Sequence, residues 1–264
     1  MAKLGFKIVS SNGEILQEKK ATNELFLIYK NEYTEGDTIQ FTTDNINAFY
    51  IIQVDDALGE AFTYITKPEV DFLIPFGEKK VAYSPKTFSG KLHSLMARVA
   101  YDHEVAAYKN LAKNVMDQHS DTGCYPHASA NVETRGESVF AARNAINGGI
   151  ANDDHGPWPY DSWGINQQDD AEIKIEFGRK VAIDQILIYT RADFPHDNWW
   201  TNVTLSFSDG SQMKVDLEKS LAKAHVIPFE KKTVEWVKMS NMIKADDPSP
   251  FPALTQLEVY GVEA

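Results

Sequence analysis

The stretch AEIKIEFGRKVAIDQILIYTR, residues 171–191, decides the fold class. Apolar and polar side chains alternate along its first half and again along its second half, and Gly178 lies between the two runs. Alternation with a period of two is typical of a β-strand with one buried face, and a glycine between such runs marks a turn. The segment therefore predicts two consecutive β-strands.

The rest of the second half follows the same alternation. Five more segments predict strands: NVTLSFSDGS (202–211), QMKVDLE (212–218), AHVIPF (224–229), TVEWVKMSN (233–241) and ALTQLEVYG (253–261). The segment GESVFAARNAINGG, residues 136–149, differs, because its Ala and Arg spacing favours a short helix. Asn147, Gly148 and Gly149 would end that helix.

The first hundred residues are also short alternating runs bounded by turn residues. Asn12-Gly13 predicts a β-hairpin. Residues 103–119 are rich in Ala and Lys, and they form either a helix or an extended connector. We predict an all-β protein of two β-sandwich domains. Residues 1–104 form a sandwich of unassigned role, and residues 105–264 form the second domain.

Five pieces of the second domain have a recognisable order. They are NLA (110–112) with PHASANVE (126–133), AINGG (145–149), YDSWG (160–164), the stretch 171–191, and ALTQLEVYG (253–261). This order resembles the galactose-binding-like jelly roll, the group that includes discoidin (F5/8 type C) domains and many carbohydrate-binding modules. The resemblance implies a non-catalytic, lectin-like domain that binds an oligo- or polysaccharide through loops at one end of the sandwich.

The resemblance also implies a structural Ca²⁺ in the turn after the helix, held by backbone carbonyls, an Asp side chain and a residue of the last strand. In this chain Asn147 replaces that Asp, and Gln256 lies where Glu is common. The ligands implied here are Asn144, Asn147, Asn152 and Gln256. The loss of carboxylates weakens a site for a hard cation. The alternative is a metal-free Asn-Gly turn, in which Asn tolerates a left-handed backbone.

Two loops concentrate aromatic and polar groups: NDDHGPWPYDSWG (152–164) and RADFPHDNWW (191–200). A sugar needs a flat aromatic face for its C–H-rich side and planar polar groups for its hydroxyls. These loops predict a carbohydrate site at Trp158, Tyr160, Arg191, Asp193, His196, Asp197, Asn198, Trp199 and Trp200.

Several of these aromatic residues also have a structural interpretation. Successive residues of a strand point to opposite faces, so one of Trp199 and Trp200 is expected in the core. We also place Trp163 in the core. A third loop, KADDPSPFPAL (244–254), offers Phe251 as a further platform, but we interpret it as a rigid surface turn.

The amino-acid composition argues against some classes of binding partner. The net charge is −12, which argues against nucleic acid and anionic membranes, since both need a cationic face. A homo-oligomer is compatible with the sequence. No apolar run is long enough for a signal peptide or a membrane span, so we expect a soluble cytoplasmic protein, or a secreted one if a leader was removed. The single cysteine, Cys124, is expected to be a buried apolar residue rather than a nucleophile.

Two alternative functions remain. A lyase would need His119, His127, His155 or His196 beside Tyr101 or Tyr125, and a glycosidase would need paired carboxylates. The acidic pairs of this chain are adjacent in sequence and lie on loops: 153–154, 169–170 and 246–247. The other alternative is a structural assembly protein in which an exposed Trp is buried in a subunit interface.

Overall fold

The computed structural model describes residues 1–192, 198–220 and 223–264. It is an all-β protein with antiparallel sheets, as the alternation predicts. In the first hundred residues the strands are β1 (Lys3–Val9), β2 (Ile15–Thr22), β3 (Glu24–Tyr29), β4 (Thr38–Thr43), β5 (Ala48–Gln53), β6 (Ala61–Ile65), β7 (Glu69–Leu73) and β8 (His93–Val99).

These strands form two facing sheets. One has the order β2-β1-β4-β7, and the other contains β6-β5-β8-β3. The predicted hairpin is confirmed, since β1 pairs with β2 and Gly13 takes a left-handed φ of 86°. The inward side chains of both sheets form one core, which includes Phe6, Phe41 and Tyr50. The first half is therefore a β-sandwich.

Residues 103–119 form an extended connector with one short helix, α1 (Asp102–Ala106). The strands after it are β9 (Lys109–Asn110), β10 (Cys124–Tyr125), β11 (His127–Ala130), β12 (Trp163–Gly164), β13 (Ile173–Thr190), β14 (Trp200–Phe207), β15 (Gln212–Asp216), β16 (His225–Lys244) and β17 (Ala253–Glu263). The helix predicted over 136–149 is replaced by separate 3₁₀ turns, Thr134–Gly136, Ser138–Phe140 and Ala142–Ile146.

One eight-stranded antiparallel sheet builds the second half, with the order β12-β17-β13-β16-β14-β15; β11 also pairs with β13, and β9 with β17. The stretch 171–191, predicted to be two strands, forms one long central strand, β13, and Gly178 lies inside it at a shift of register rather than at a turn. Strand β13 pairs with β16 on one side, and on the other with β11 along its first part and β17 along its second. The register shifts beside Gly178, whose φ is 68°. The apolar side chains of β13 form one core together with Trp163 and Trp200.

The two halves contact each other directly. Strand β10 pairs with β6 and so extends a sheet of the first sandwich. The Arg179 guanidinium lies 4.9 Å from the ring centre of Phe49, and the Lys109 ammonium lies 4.3 Å from that of Phe62. We keep the domain boundary near residue 105 as a prediction. In the part of the chain that the structure describes, no helix is long and apolar enough to cross a membrane.

Candidate functional site

A cavity of about 390 Å³ opens at one end of the second sandwich, and we call it the end pocket. Three parts of the chain that are distant in sequence build it: the 3₁₀ turns at 134–140, the segment 155–167 with strand β12, and the strand ends around 191 and 251–253. Its lining residues are Thr134, Arg135, Phe140, His155, Gly164, Ile165, Asn166, Gln167, Arg191, Phe251, Pro252 and Ala253.

The pocket has an apolar floor and an exposed aromatic rim. Phe140 and Ile165 are both buried, whereas 47% of the Phe251 surface is exposed. Gly164 lets the walls approach closely, because a Cβ there would lie 2.6 Å from Thr134 Oγ1 and 3.2 Å from the Phe140 side chain. The pocket thus depends on a residue without a side chain at its base.

Arg191 is held in the wall of the end pocket with its guanidinium buried. It directly follows β13, where its backbone N–H donates to Ala253 O at 3.1 Å. Its Nη1 donates to Ser162 Oγ at 3.1 Å, and its guanidinium carbon lies 5.7 Å from the Phe140 ring centre. Only 4% of the residue is exposed. These contacts fix the orientation of a planar donor group.

Asn166 and Gln167 add two exposed side-chain amides at the rim. Both have left-handed backbones, with φ of 50° and 59°. Such values are uncommon for residues other than glycine and recur at functional sites. The backbone N–H of Asn166 donates to Thr134 Oγ1 at 2.9 Å, which ties this rim to the opposite wall.

The charged groups near the rim are arranged in pairs. Arg135 makes a bidentate contact with Glu137, at 2.6 and 2.8 Å. This guanidinium lowers the pKa of the Glu137 carboxyl. His155 Nδ1 lies 3.7 Å from Asp154 Oδ1. Among the described residues that line the end pocket, none is an Asp or a Glu.

The structure separates the residues that the sequence predicts as one carbohydrate site. Arg191 lines the end pocket. Trp158 lines a different groove, of about 420 Å³, together with residues of the first sandwich such as Leu58 and Lys86. Its backbone N–H donates to Val81 O at 2.8 Å, which fixes this loop against the first half. Tyr160 lies near Asp153, whose charge raises the pKa of its hydroxyl.

The tryptophan pair divides as the strand geometry predicts. Trp200 is buried in the core, while Trp199 is partly exposed with the Lys219 ammonium 5.0 Å from its ring centre. The prediction for Trp200 as a binding residue is therefore wrong. Trp163 is in the core, as predicted, and its Nε1 donates to Val132 O.

Asn198 is also wrongly predicted as a sugar ligand. It is buried, and its Nδ2 donates to Ala245 O at 2.9 Å while its Oδ1 accepts the Trp199 N–H. This amide holds the loop in place. Asp193, His196 and Asp197 lie outside the described residues.

Four residues that form the floor and the rim of the end pocket are not predicted from the sequence: Phe140, Ile165, Asn166 and Gln167. Phe140 lies in a segment that favoured a helix, and no local signal points it towards the pocket. Asn166 and Gln167 lie two and three residues after Gly164, and the sequence there could have been identified as a turn that needs a left-handed backbone. Phe251 was interpreted as part of a rigid turn, and the structure places its ring at the pocket rim.

The histidines and the cysteine are distributed over separate places. His119 Nε2 lies 2.8 Å from Glu133 Oε2, and this contact raises the pKa of His119. His127 is paired with buried Asp117 at 2.8 Å; burial favours the neutral ring, but the contact with Asp117 outweighs it and raises the pKa of His127. Cys124 is buried, and burial raises the pKa of its thiol to about 12. The predicted burial of this residue is confirmed.

The predicted metal ligands form hydrogen bonds with one another. Gln256 Oε1 accepts the Gly148 N–H, and its Nε2 donates to Asn144 O and Asn147 Oδ1. The side-chain amide of Asn144 donates to Ser138 O and Ser162 O. Asn152 belongs to a different contact, with its Nδ2 on Thr190 O. Within the described ranges, no three His, Cys, Asp or Glu side chains come together as a metal site.

Comparison with known proteins gives one family and several structures. The family model described as "Domain of unknown function (DUF7402)" matches residues 122–247, somewhat less than half of the chain. No curated protein matches the chain.

The solved structures that match include carbohydrate-binding modules. Chitosan-binding module 1 of a chitosanase/glucanase from Paenibacillus sp. IK-5 is 19% identical, with a TM-score of 0.40, over 58% of this chain and 98% of that one. The family 32 CBM of C. perfringens NanJ, in complex with galactose, is 20% identical, with a TM-score of 0.39, over 50% of this chain and 91% of that one. A fucose-binding module from Streptococcus pneumoniae is 14% identical, with a TM-score of 0.40, over 58% of this chain and 98% of that one. Similarities of this size do not identify a ligand for this chain.

Proposed function

We propose that this protein binds a glycan in the end pocket and does not cleave it. The observation that carries the proposal is the combination in one cavity of a half-exposed aromatic ring, a buried and oriented guanidinium, and two exposed amides. Apolar pockets with a few convergent polar groups are the usual form of small-ligand sites.

The aromatic part suits the C–H face of a pyranose. Phe251 lies between Pro250 and Pro252, so its backbone has little freedom to lose when a ligand binds. Its ring is exposed on one side of the cavity, and Phe140 and Ile165 provide the apolar floor. A sugar ring stacked here would exclude water from both surfaces.

The polar part suits vicinal hydroxyls. A guanidinium presents a planar fork of donors, and a side-chain amide offers one acceptor oxygen and one donor nitrogen. Arg191, Asn166 and Gln167 all line the pocket and together supply both functions. A volume of about 390 Å³ lies near the lower end of the range for small-ligand pockets, which suits the terminus of a glycan chain.

The non-catalytic part of the proposal rests on the lining of the end pocket. Glycoside hydrolysis requires two carboxyl groups facing one bond, one of them as acid or nucleophile. The described residues that line this cavity carry none. His119 and His127 do not line this cavity, and each pairs with a carboxylate elsewhere.

A glycan array probed with the full chain, followed by calorimetric titration of the best ligand, tests the proposal. The variant is Asn166→Gly, which removes one rim amide at a position that already has a left-handed backbone. We expect Kd to rise about 5- to 10-fold, since one hydrogen bond contributes roughly 1 kcal/mol. Asn241→Gly is the matched control, because Asn241 is also exposed with a left-handed φ, of 48°, and does not line the pocket.

Other outcomes would favour the alternatives. Release of shorter products from the bound glycan would show a carbohydrate-active enzyme. Binding to no glycan, together with a concentration-dependent dimer that Trp158→Ala disperses, would show an assembly protein. Equal loss of affinity in Asn166→Gly and Asn241→Gly would place the glycan outside the end pocket.

A further inference from the structure

A cluster of amides joins the turn at 144–149 to the last strand, β17. Gln256 is buried in this strand, and its Nε2 has three oxygens within hydrogen-bond distance. They are Asn144 O, Asn147 Oδ1 at 2.9 Å and Thr255 O at 2.7 Å. Three oxygens that converge on one point are the usual surroundings of a hard cation.

The orientation of the Gln256 amide follows from its other end. The backbone N–H of Gly148 donates to Gln256 Oε1 at 2.9 Å. A backbone N–H can only donate, so the atom that faces it must be the oxygen. The NH₂ group therefore faces the three oxygens.

Asn147 is fixed in the same way. Its Oδ1 accepts the Gly149 N–H at 2.7 Å, and its Nδ2 donates to Asp161 Oδ2 at 2.6 Å. The oxygen of Asn147 thus faces the nitrogen of Gln256, and the two side chains bind each other directly. Exchanging O and N in either amide would set two donors against each other or place a carboxylate oxygen against an acceptor.

This set of donors does not fit calcium. A Ca²⁺ site supplies six to eight oxygens, several of them charged. Here an NH₂ group points at the position that the oxygens surround, and the nearby carboxylate of Asp161 is bound to Asn147 Nδ2. The hydroxyl of Thr255 is buried without a hydrogen-bond partner, but a neutral oxygen adds no charge.

We propose that the Gln256 amide replaces the structural cation that the resemblance implies, so that the chain folds without calcium. The two amides act as a pair. An Asp at 147 and a Glu at 256 would bring two carboxylates together beside that of Asp161, and the three would require a cation between them. Asn and Gln at these positions hydrogen-bond directly and hold the turn on β17. This inference concerns folding, and it stands independently of the proposed glycan binding.

Thermal unfolding of the full chain with EDTA and with excess Ca²⁺, together with its metal content after dialysis, tests the proposal. We expect the same Tm in both conditions and less than stoichiometric calcium. A Tm that falls in EDTA and recovers with Ca²⁺ would overturn it. Gln256→Met removes the amide while keeping the side-chain length, and it should lower Tm by on the order of 5 °C in both conditions. Gln212→Met, on exposed β15, is the matched control and should leave Tm unchanged.

A double exchange tests the pairing of the two positions. Asn147→Asp with Gln256→Glu should have a lower Tm than the wild type in EDTA, and Ca²⁺ should raise it again. If Ca²⁺ leaves the Tm of the double variant unchanged, or if the variant folds in neither condition, the claim that the amides stand in for a carboxylate pair and its cation is wrong.

Discussion

Replacement of Phe251 by Ala should weaken glycan binding without unfolding the protein. A fully enclosed aromatic side chain buries about 150–250 Å². Because 47% of Phe251 is exposed, roughly 70–120 Å² of it is available to a ligand. A sugar that covers one ring face removes about half of this area from water. At about 25 cal/mol per Å², this contact contributes on the order of 1–1.5 kcal/mol.

The assay is calorimetric titration of the best glycan into wild type and Phe251→Ala. We expect Kd to rise about 5- to 12-fold while Tm changes little, since half of the side chain is already in water. Phe26→Ala is the matched control, because Phe26 is 59% exposed on β3 of the first sandwich. An unchanged Kd in Phe251→Ala, with the fold retained, would refute the assignment of this ring as the sugar platform.

Two further predictions concern Gly164 at the base of the end pocket and Glu104 in helix α1 of the connector. Gly164→Ala should lower the free energy of unfolding by about 1–3 kcal/mol and also weaken glycan binding, because its Cβ would displace Thr134 and Phe140. Denaturant unfolding measures the first effect and calorimetric titration the second. Unchanged binding would contradict the pocket geometry. Glu104→Gln should cost about 1 kcal/mol at pH 7, because the bidentate contact with Arg98 lowers the pKa of Glu104 from 4.5 to about 2. That stabilisation is present above pH 4.5 and is lost as the pH falls towards 2, so urea unfolding of wild type and variant should converge in this range. A difference that stays constant down to pH 2 would contradict it.

Local patterns in the sequence predicted most of the scaffold. Alternation in residues 171–191 identified β-structure there, although the two predicted strands are one continuous strand, and the Asn12-Gly13 turn identified the first hairpin. The opposite directions of Trp199 and Trp200 follow from strand geometry alone. Each of these features depends on neighbours within a few residues, which is why one sequence suffices to predict them.

The site could be predicted only in part, because its walls come from segments that are far apart in sequence. Arg191 was found from its loop, but Trp158 was grouped with it although its backbone is bound to Val81 of the first sandwich. Nothing in residues 152–164 indicates that contact. Asn198 is a residue type that often binds sugars, and only the structure shows that its side-chain amide donates to Ala245 O.

The helix expected over residues 136–149 gives way to three 3₁₀ turns for a similar reason. Ala and Arg favour helix locally, but this segment must place Phe140 in the pocket floor and Asn147 against Gln256. Long-range contacts therefore outweigh helix propensity there.

A crystal structure of the chain with the best glycan from the array shows whether a sugar occupies the end pocket. We predict that the terminal sugar stacks on Phe251 and is hydrogen-bonded by Arg191 and Asn166. A sugar found instead in the groove beside Trp158, or on Trp199, with the end pocket empty, would show that the end pocket is not the glycan site.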